Sequence, residues 1–179
     1  MNISVFGGSQ SKPGSISYHF AYKMGKVLGE SGHTILTGGY IGTMEAVSHG
    51  AVEAGGHVIG VTCSEIERWR PVKPNQWVQE EHRFETLLDR LNELIHACDA
   101  AIALPGGPGT LAEVSLMWNL MVIQASPKKP LILFGNGWKN AIRTLFRTFD
   151  DFIPQKQRSF LMFASSIEEV IPLLEFSNQ

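Results

Sequence analysis

Three glycine-rich turns hold most of the residues whose types and spacing suit chemistry: Gly7-Gly8-Ser9, Gly38-Gly39-Tyr40-Ile41-Gly42-Thr43 and Pro105-Gly106-Gly107-Pro108-Gly109-Thr110. Glycine lets a backbone take positive φ and come close to a ligand. A helix that opens just after such a turn offers unpaired N–H groups and a partial positive charge to an anion. One turn of this kind is common to many folds. Three of them, two leading into helices, point to a phosphate-bearing small molecule. The expected contacts are Gly8, Ser9, Gly38, Gly39, Gly42, Thr43, Pro105, Gly106, Gly107, Gly109 and Thr110.

Two charged residues accompany these turns. Glu113 follows Thr110 by three positions, so Thr110-Leu111-Ala112-Glu113 reads as a capping box that satisfies backbone donors at a helix start. The same position keeps a carboxylate beside an anion-binding turn, where a negative charge needs a purpose. Arg90 precedes Asp99 by nine residues. A helix advances roughly 12–14 Å over that span at about 1.5 Å per residue, and a following strand returns at about 3.3 Å per residue. Arg90 is then level with the third glycine turn; the alternative is a solvated arginine pairing with Asp89 or Glu93.

Other nucleotide signatures do not fit. A dinucleotide site wants G-x-G-x-x-G after the first strand and an acidic residue about 20 positions later, whereas Phe6 is followed by Gly7-Gly8-Ser9-Gln10. No Gly-Lys-Ser/Thr phosphate loop occurs. Cys63 and Cys98 lie far apart without metal-ligand spacing and read as reduced core thiols, so no metal is expected. A net charge of -2 gives no electrostatic basis for nucleic-acid or membrane-surface binding. The opening Met1 to Phe6 is too short, and too soon followed by glycine, for a signal peptide, and no apolar run reaches membrane-spanning length. A cytoplasmic protein is the expectation.

The elements that must position these turns are legible in the hydropathy pattern. With 179 residues, 44% hydrophobic and 18% charged, the chain fits one globular domain spanning 1–179. Short apolar runs alternate with longer periodic ones, the mark of βαβ units around a parallel sheet. Strands are expected at Ile3 to Phe6, Thr34 to Thr37, His57 to Val61, Ala100 to Leu104, Leu131 to Phe134 and Leu161 to Phe163. Helices are expected at Ser15 to Gly29, Thr43 to Ala54, Thr86 to His96, Thr110 to Gln124 and Ser166 to Phe176, the last with Ser165 and Ser166 facing Glu168 and Glu169 in a capping pattern. The fold class is therefore α/β, a Rossmann-like three-layer domain with a parallel sheet, whose ligands bind beyond the carboxyl ends of the strands. The segment Thr62 to Glu81 reads as a long irregular loop, either functional or else a surface excursion or part of an oligomer contact. Apolar stripes around Leu94 and Trp118 suggest a partner, at least a homodimer, the alternative being that they face the sheet.

Arg90, then Asp99-Ala100-Ala101-Ile102-Ala103-Leu104-Pro105-Gly106-Gly107-Pro108-Gly109-Thr110, then Glu113, together resemble the pattern of the Lonely Guy (LOG) family. Gly38 to Ala46 and Gly55 to Val61 are similar to its second glycine-rich segment, and Phe6 to Ser9 matches more loosely. Family members often carry a lysine decarboxylase label, but no lysine here sits in a pyridoxal-phosphate setting. The resemblance implies hydrolysis of the N-glycosidic bond of a nucleoside 5′-monophosphate, cytokinin ribotides included, to free base and ribose 5-phosphate. It makes Arg90 and Glu113 the catalytic pair and the third turn the phosphate site, with no cofactor, and it implies a homodimer. Leu91 and Ala112 replace a lysine and an acid frequent in the family, which brings the chain closer to bacterial LOG-like members. The alternative of the same fold is a non-catalytic binding protein resembling molybdenum-cofactor carriers.

Overall fold

The computed structural model describes residues 1–175. Seven strands form one sheet: β1 Asn2–Phe6, β2 Thr34–Thr37, β3 His57–Cys63, β4 Glu80–Phe84, β5 Ala100–Ala103, β6 Leu131–Phe134 and β7 Leu161–Ala164. Their order is β4-β3-β2-β1-β5-β6-β7, and every pairing is parallel. The helices are α1 Ile16–Glu30, α2 Thr43–Glu53, α3 Ser64–Trp69, α4 Leu87–His96, α5 Pro108–Val122, α6 Asn136–Thr148, α7 Gln155–Arg158 and α8 Val170–Glu175. The protein has the Rossmann-like three-layer α/β fold.

Alternation along the strands sorts the core into two layers. Ile3, Val5, Ile35, Val58, Ile102 and Ile132 point to the side covered by α1, α2 and α8, where Met24, Leu28, Val47 and Leu174 are buried. Phe6, Leu36, Ile59, Ala101, Leu131 and Leu133 point to the side of α4, α5 and α6, against Leu94, Ile95, Met117 and Ile142. Burial on both faces is why these strands read as continuous apolar runs. Ser4 falls on the second side, and its hydroxyl donates to the Leu94 carbonyl at 2.6 Å, so its burial leaves no unpaired group.

Several expectations need correction. The segment Thr62 to Glu81 is mostly structured: β3 continues to Cys63, α3 follows, and β4 begins at Glu80. Only residues 70–79 are irregular. Strand β4, Glu-Glu-His-Arg-Phe, lies on the sheet edge with polar groups on both faces, so it has no apolar alternation, and pairing with β3 defines it. Helix α6 is an element that the sequence reading does not contain, although Trp138, Ile142, Leu145 and Phe146 recur at helical spacing. Helix α5 starts at Pro108, earlier than Thr110, because proline suits a first helical position that needs no N–H. Leu94 is fully buried against the sheet, and Trp118 Nε1 donates to the Gln157 carbonyl, so neither is a free apolar surface. At the carboxyl end a 3-10 turn, Ile167–Glu169, precedes α8; Ser165 N–H donates to Glu169 Oε2 at 2.7 Å, and Phe176 lies outside the described residues. Among the described residues no helix is long and apolar enough to cross a membrane.

Helices α1 and α2 cross at backbone contact, which sets where the turn before α2 stands. A Cβ on Gly50 would lie 2.0 Å from the Tyr22 carbonyl oxygen, and one on Gly25 would lie 2.0 Å from that of Val47. In an open helix Gly→Ala is stabilising by about 1 kcal/mol. Here the obstructing atoms are backbone and cannot swing aside. Gly50→Ala is therefore expected to lower stability by about 1–3 kcal/mol, read as a reduced urea midpoint at unchanged slope; a stabilised variant would refute the close crossing.

Candidate active site at the strand-order reversal

Sequential strands run outward from β1 through β2 and β3 to β4, whereas β5 returns to the other side of β1. A crevice opens where this order reverses, beyond the carboxyl ends of β1 and β5. The turns meet there. Gly8 N–H donates to the Pro105 carbonyl at 3.2 Å, and the Gly8 carbonyl accepts from Thr43 N–H and Thr43 Oγ1, each at 3.0 Å. Gly42, at φ 80°, packs so close to Ser9 that a Cβ would sit 2.6 Å from the Ser9 Cα.

The resulting cleft, about 400 Å³, is lined by Gly8, Ser9, Arg90, Gly107, Gly109, Thr110 and Glu113 from the expected set. Gly38, Gly39, Gly42, Thr43, Pro105 and Gly106 lie behind this lining. Gly38 leaves space for Arg90, whose Nη2 would be 1.9 Å from an added Cβ. Gly39, at φ 76°, brings its chain against Gly60, and Gly106 gives way to Thr110 Oγ1, 2.1 Å from where a Cβ would stand. Pro105 and Thr43 also line a neighbouring apolar cavity of about 480 Å³ with Ile16, Phe20, Leu104 and Phe134. That cavity is larger but has no titratable lining residue, so the groups able to do chemistry belong to the smaller cleft.

Helix α5 opens into the cleft. Its N-cap is Gly107, without a side-chain cap, so Thr110 stands inside the first turn and does not head the expected capping box. The N–H groups of Gly109 and Thr110 belong to the turn that finds no intrahelical acceptor, and the helix dipole adds positive potential. A Cβ at Gly107 or Gly109 would meet no protein atom, so glycine there keeps the space above the loop open.

Glu113, one turn further, is buried at 7% exposure, and Arg90 at 5%. Their closest approach is 3.7 Å, Arg90 Nη1 to Glu113 Oε1. Arg90 Nε donates to the Val61 carbonyl at 2.7 Å, and its guanidinium stands 6.0 Å from the Tyr40 ring centroid. It pairs with neither neighbour considered above: Asp89 is bonded to Thr86, and Glu93 to His82. Burial pushes the Glu113 carboxyl up to about 7, with the Arg90 charge pulling it partly back. The cleft thus holds a carboxyl group that changes charge near neutral pH.

Tyr40, Met44, Ile66, Trp69 and Arg70 also line the cleft and are not in the expected set. Tyr40 Oη accepts from Cys63 N–H at 2.9 Å, and Asn75 Nδ2 donates to the carbonyls of Gly39 and Tyr40, so residues 70–79 pin the second glycine turn. For Ile66, Trp69 and Arg70 the available signal was positional, since chain leaving the carboxyl end of β3 must pass the cleft.

Comparison with known proteins adds kinship to this geometry. Residues 44–174 match a family model described as possible lysine decarboxylase. The rice (Oryza sativa subsp. japonica) cytokinin riboside 5′-monophosphate phosphoribohydrolase LOG is 33% identical, over 97% of this chain and 72% of its own. A molybdenum cofactor binding protein from Rippkaea orientalis superposes with a TM-score of 0.77 at 27% identity, over 99% of this chain and 97% of its own. The molybdenum cofactor carrier protein of Chlamydomonas reinhardtii gives 0.72 at 25% identity, over 97% and 95%. With most of its length matched by the family model and by the rice protein, this chain belongs to the LOG family.

Proposed function

We propose that this protein is a phosphoribohydrolase that cleaves the N-glycosidic bond of a nucleoside 5′-monophosphate of the AMP or cytokinin-ribotide type. The observation that carries the reading is the buried Glu113 beside Arg90, one turn into a helix whose uncapped start faces the same cleft. The phosphate binds at Gly107 to Thr110, with the N–H groups of Gly109 and Thr110 as donors. Breaking the C1′–N bond leaves the electron pair on the base and positive charge on the ribose. Ionised Glu113 stabilises that charge and orients the attacking water. The water's hydroxyl joins C1′ and its proton ends on the base, giving free base and ribose 5-phosphate. Arg90, tied to the Val61 carbonyl, offsets in part the burial that disfavours the ionised Glu113 carboxylate and faces the sugar. Family membership and the named activity of the rice relative support the reading. So does the absence of any lysine among the cleft-lining residues, against the decarboxylase description.

Purified protein incubated with AMP and a panel of nucleoside monophosphates should release free base and ribose 5-phosphate in equal amounts. Glu113→Gln is nearly isosteric and should retain ligand while kcat falls about 10²–10³-fold. Normal turnover in that variant would remove Glu113 from the mechanism. The second reading, a molybdenum-cofactor carrier, is favoured by the two superposed structures. It requires binding without base release from any nucleotide.

The direction of the Glu113 shift sets a pH dependence. Its carboxyl is held up to about 7, so the ionised form dominates above that pH and is lost below it. The kcat/KM profile should therefore rise with pH through about 7 to a plateau. Arg90 lowers this value, so Arg90→Gln should move the rise to higher pH. The substrate's own phosphate titrates identically with both proteins, so a displacement between the profiles isolates Glu113. Superimposable profiles would show that Glu113 ionisation does not limit the rate.

We also propose a homodimer, on exposed apolar residues other than those expected. Leu88 at the start of α4 is 68% exposed, and Leu111 on neighbouring α5 and Ile123 just past its end are 51% and 62% exposed. Light scattering at micromolar concentration should give twice the 19.8 kDa chain mass, and the monomer mass would exclude it.

A further inference from the structure

Arg70 closes helix α3 and borders the cleft opposite the start of α5, yet the fold makes little use of its charge. Its Nη1 donates to Ser9 Oγ at 3.3 Å, a long bond to a neutral acceptor. Its Nε–H is the one buried side-chain nitrogen or oxygen without a hydrogen-bond partner among the described residues. The guanidinium carbon stands 5.6 Å from the Trp69 ring centroid, and Trp69 is 79% exposed at the cleft mouth. Three other arginines are committed: Arg83 pairs with Glu67, Arg158 with Asp150, and Arg90 Nε with the Val61 carbonyl. A guanidinium has five N–H donors in a planar fork and no acceptor, and a buried donor left unpaired is costly. Such a side chain is suited to a second, anionic acceptor.

The position is equally specific. Ser9, which Arg70 touches, follows Gly8, and Gly8 is bonded to Pro105 in the loop before α5. The cleft is bordered by two guanidinium groups, Arg70 and Arg90, against the single carboxyl of Glu113. That excess of positive charge favours a doubly charged ligand.

We propose that Arg70 is a ligand-binding, specificity-determining residue that reads the phosphate group. It turns from Ser9 onto a phosphate held at the start of α5 and donates Nε–H and one Nη–H to two of its oxygens, the paired geometry that suits arginine. It thereby makes the cleft prefer a nucleotide to the corresponding nucleoside. The inference rests on the proposed reading of the cleft as a nucleoside-monophosphate site.

Isothermal titration of AMP, adenosine and inorganic pyrophosphate into wild type, Arg70→Gln and Arg70→Met at fixed ionic strength tests it. Wild type should bind AMP more tightly than adenosine. Arg70→Gln should weaken AMP about 10–100-fold, as expected for loss of a charge-assisted paired contact, and leave adenosine within about twofold. Arg70→Met keeps the apolar stem beside Trp69 and should show the same loss, so it reads the effect where the glutamine variant does not fold. A purely structural role for Arg70 would weaken both ligands together and overturn the proposal, as would AMP affinity equal to wild type. Arg70-dependent binding of AMP without base release supports Arg70 and removes the hydrolase reading. Arg70-dependent binding of pyrophosphate without AMP binding supports Arg70 and removes the nucleotide reading. Wild type that binds neither overturns both.

Discussion

Gly8 is held from two sides, by the Pro105 carbonyl at its N–H and by Thr43 at its carbonyl, and the rest of the cleft depends on that joint. It ties the chain leaving β1 to the loop that opens α5 and to the first residue of α2. Strand order makes the joint necessary. The strand order reverses between β1 and β5, so the loops beyond these parallel strands diverge unless bonded across the gap. The glycines permit the approach. A Cβ on Gly42 would run into Ser9, and one on Gly106 would stand 3.0 Å from the Gly8 nitrogen.

The joint allows a charged pair to be buried next to an open helix start. Arg90 reaches the cleft from α4, passes Gly38 and is clamped by the Val61 carbonyl; Glu113 comes from α5. Removing two charges from water is expensive, and their mutual attraction seldom offsets it beyond a small margin. At 3.7 Å the two groups are near each other without a close forked contact, and the carboxyl stays up at about 7. A pair of that kind contributes little to stability and leaves a carboxylate able to respond to an approaching positive charge.

Helix α5 departs from the pattern that a capping box would impose, and the departure is chemically useful. A capped start would spend its N–H groups on Thr110 and Glu113. With Gly107 as N-cap and Pro108 at the first helical position, the opening turn lines the cleft without a side-chain cap, and Glu113 is free to sit beside Arg90. The three-residue spacing that suggested the box reflects instead two residues on one helix face, both turned toward the same space.

Much of this was legible before any coordinates. The apolar runs at Ile3, Thr34, His57, Ala100, Leu131 and Leu161 determined six strands, because strands covered on both faces have no polar alternation to obscure them. The glycine turns marked the strand ends that meet at the cleft, and the spacing of Arg90 to Asp99 placed the arginine level with the third turn, as its proximity to Glu113 reflects. Strand β4 was not legible, since an edge strand with polar faces is defined by the free edge of β3 and not by its own residues. Nor was Arg70, whose place in the cleft depends on the path of α3 across β3 and on Asn75 holding the turn at Gly39 and Tyr40. The sequence by itself determined the layers and the residue types available to the site. Only the tertiary structure decided which glycines line the cleft and which stand behind it, and how far burial raises Glu113, because contact and desolvation arise between segments that local sequence cannot bring together.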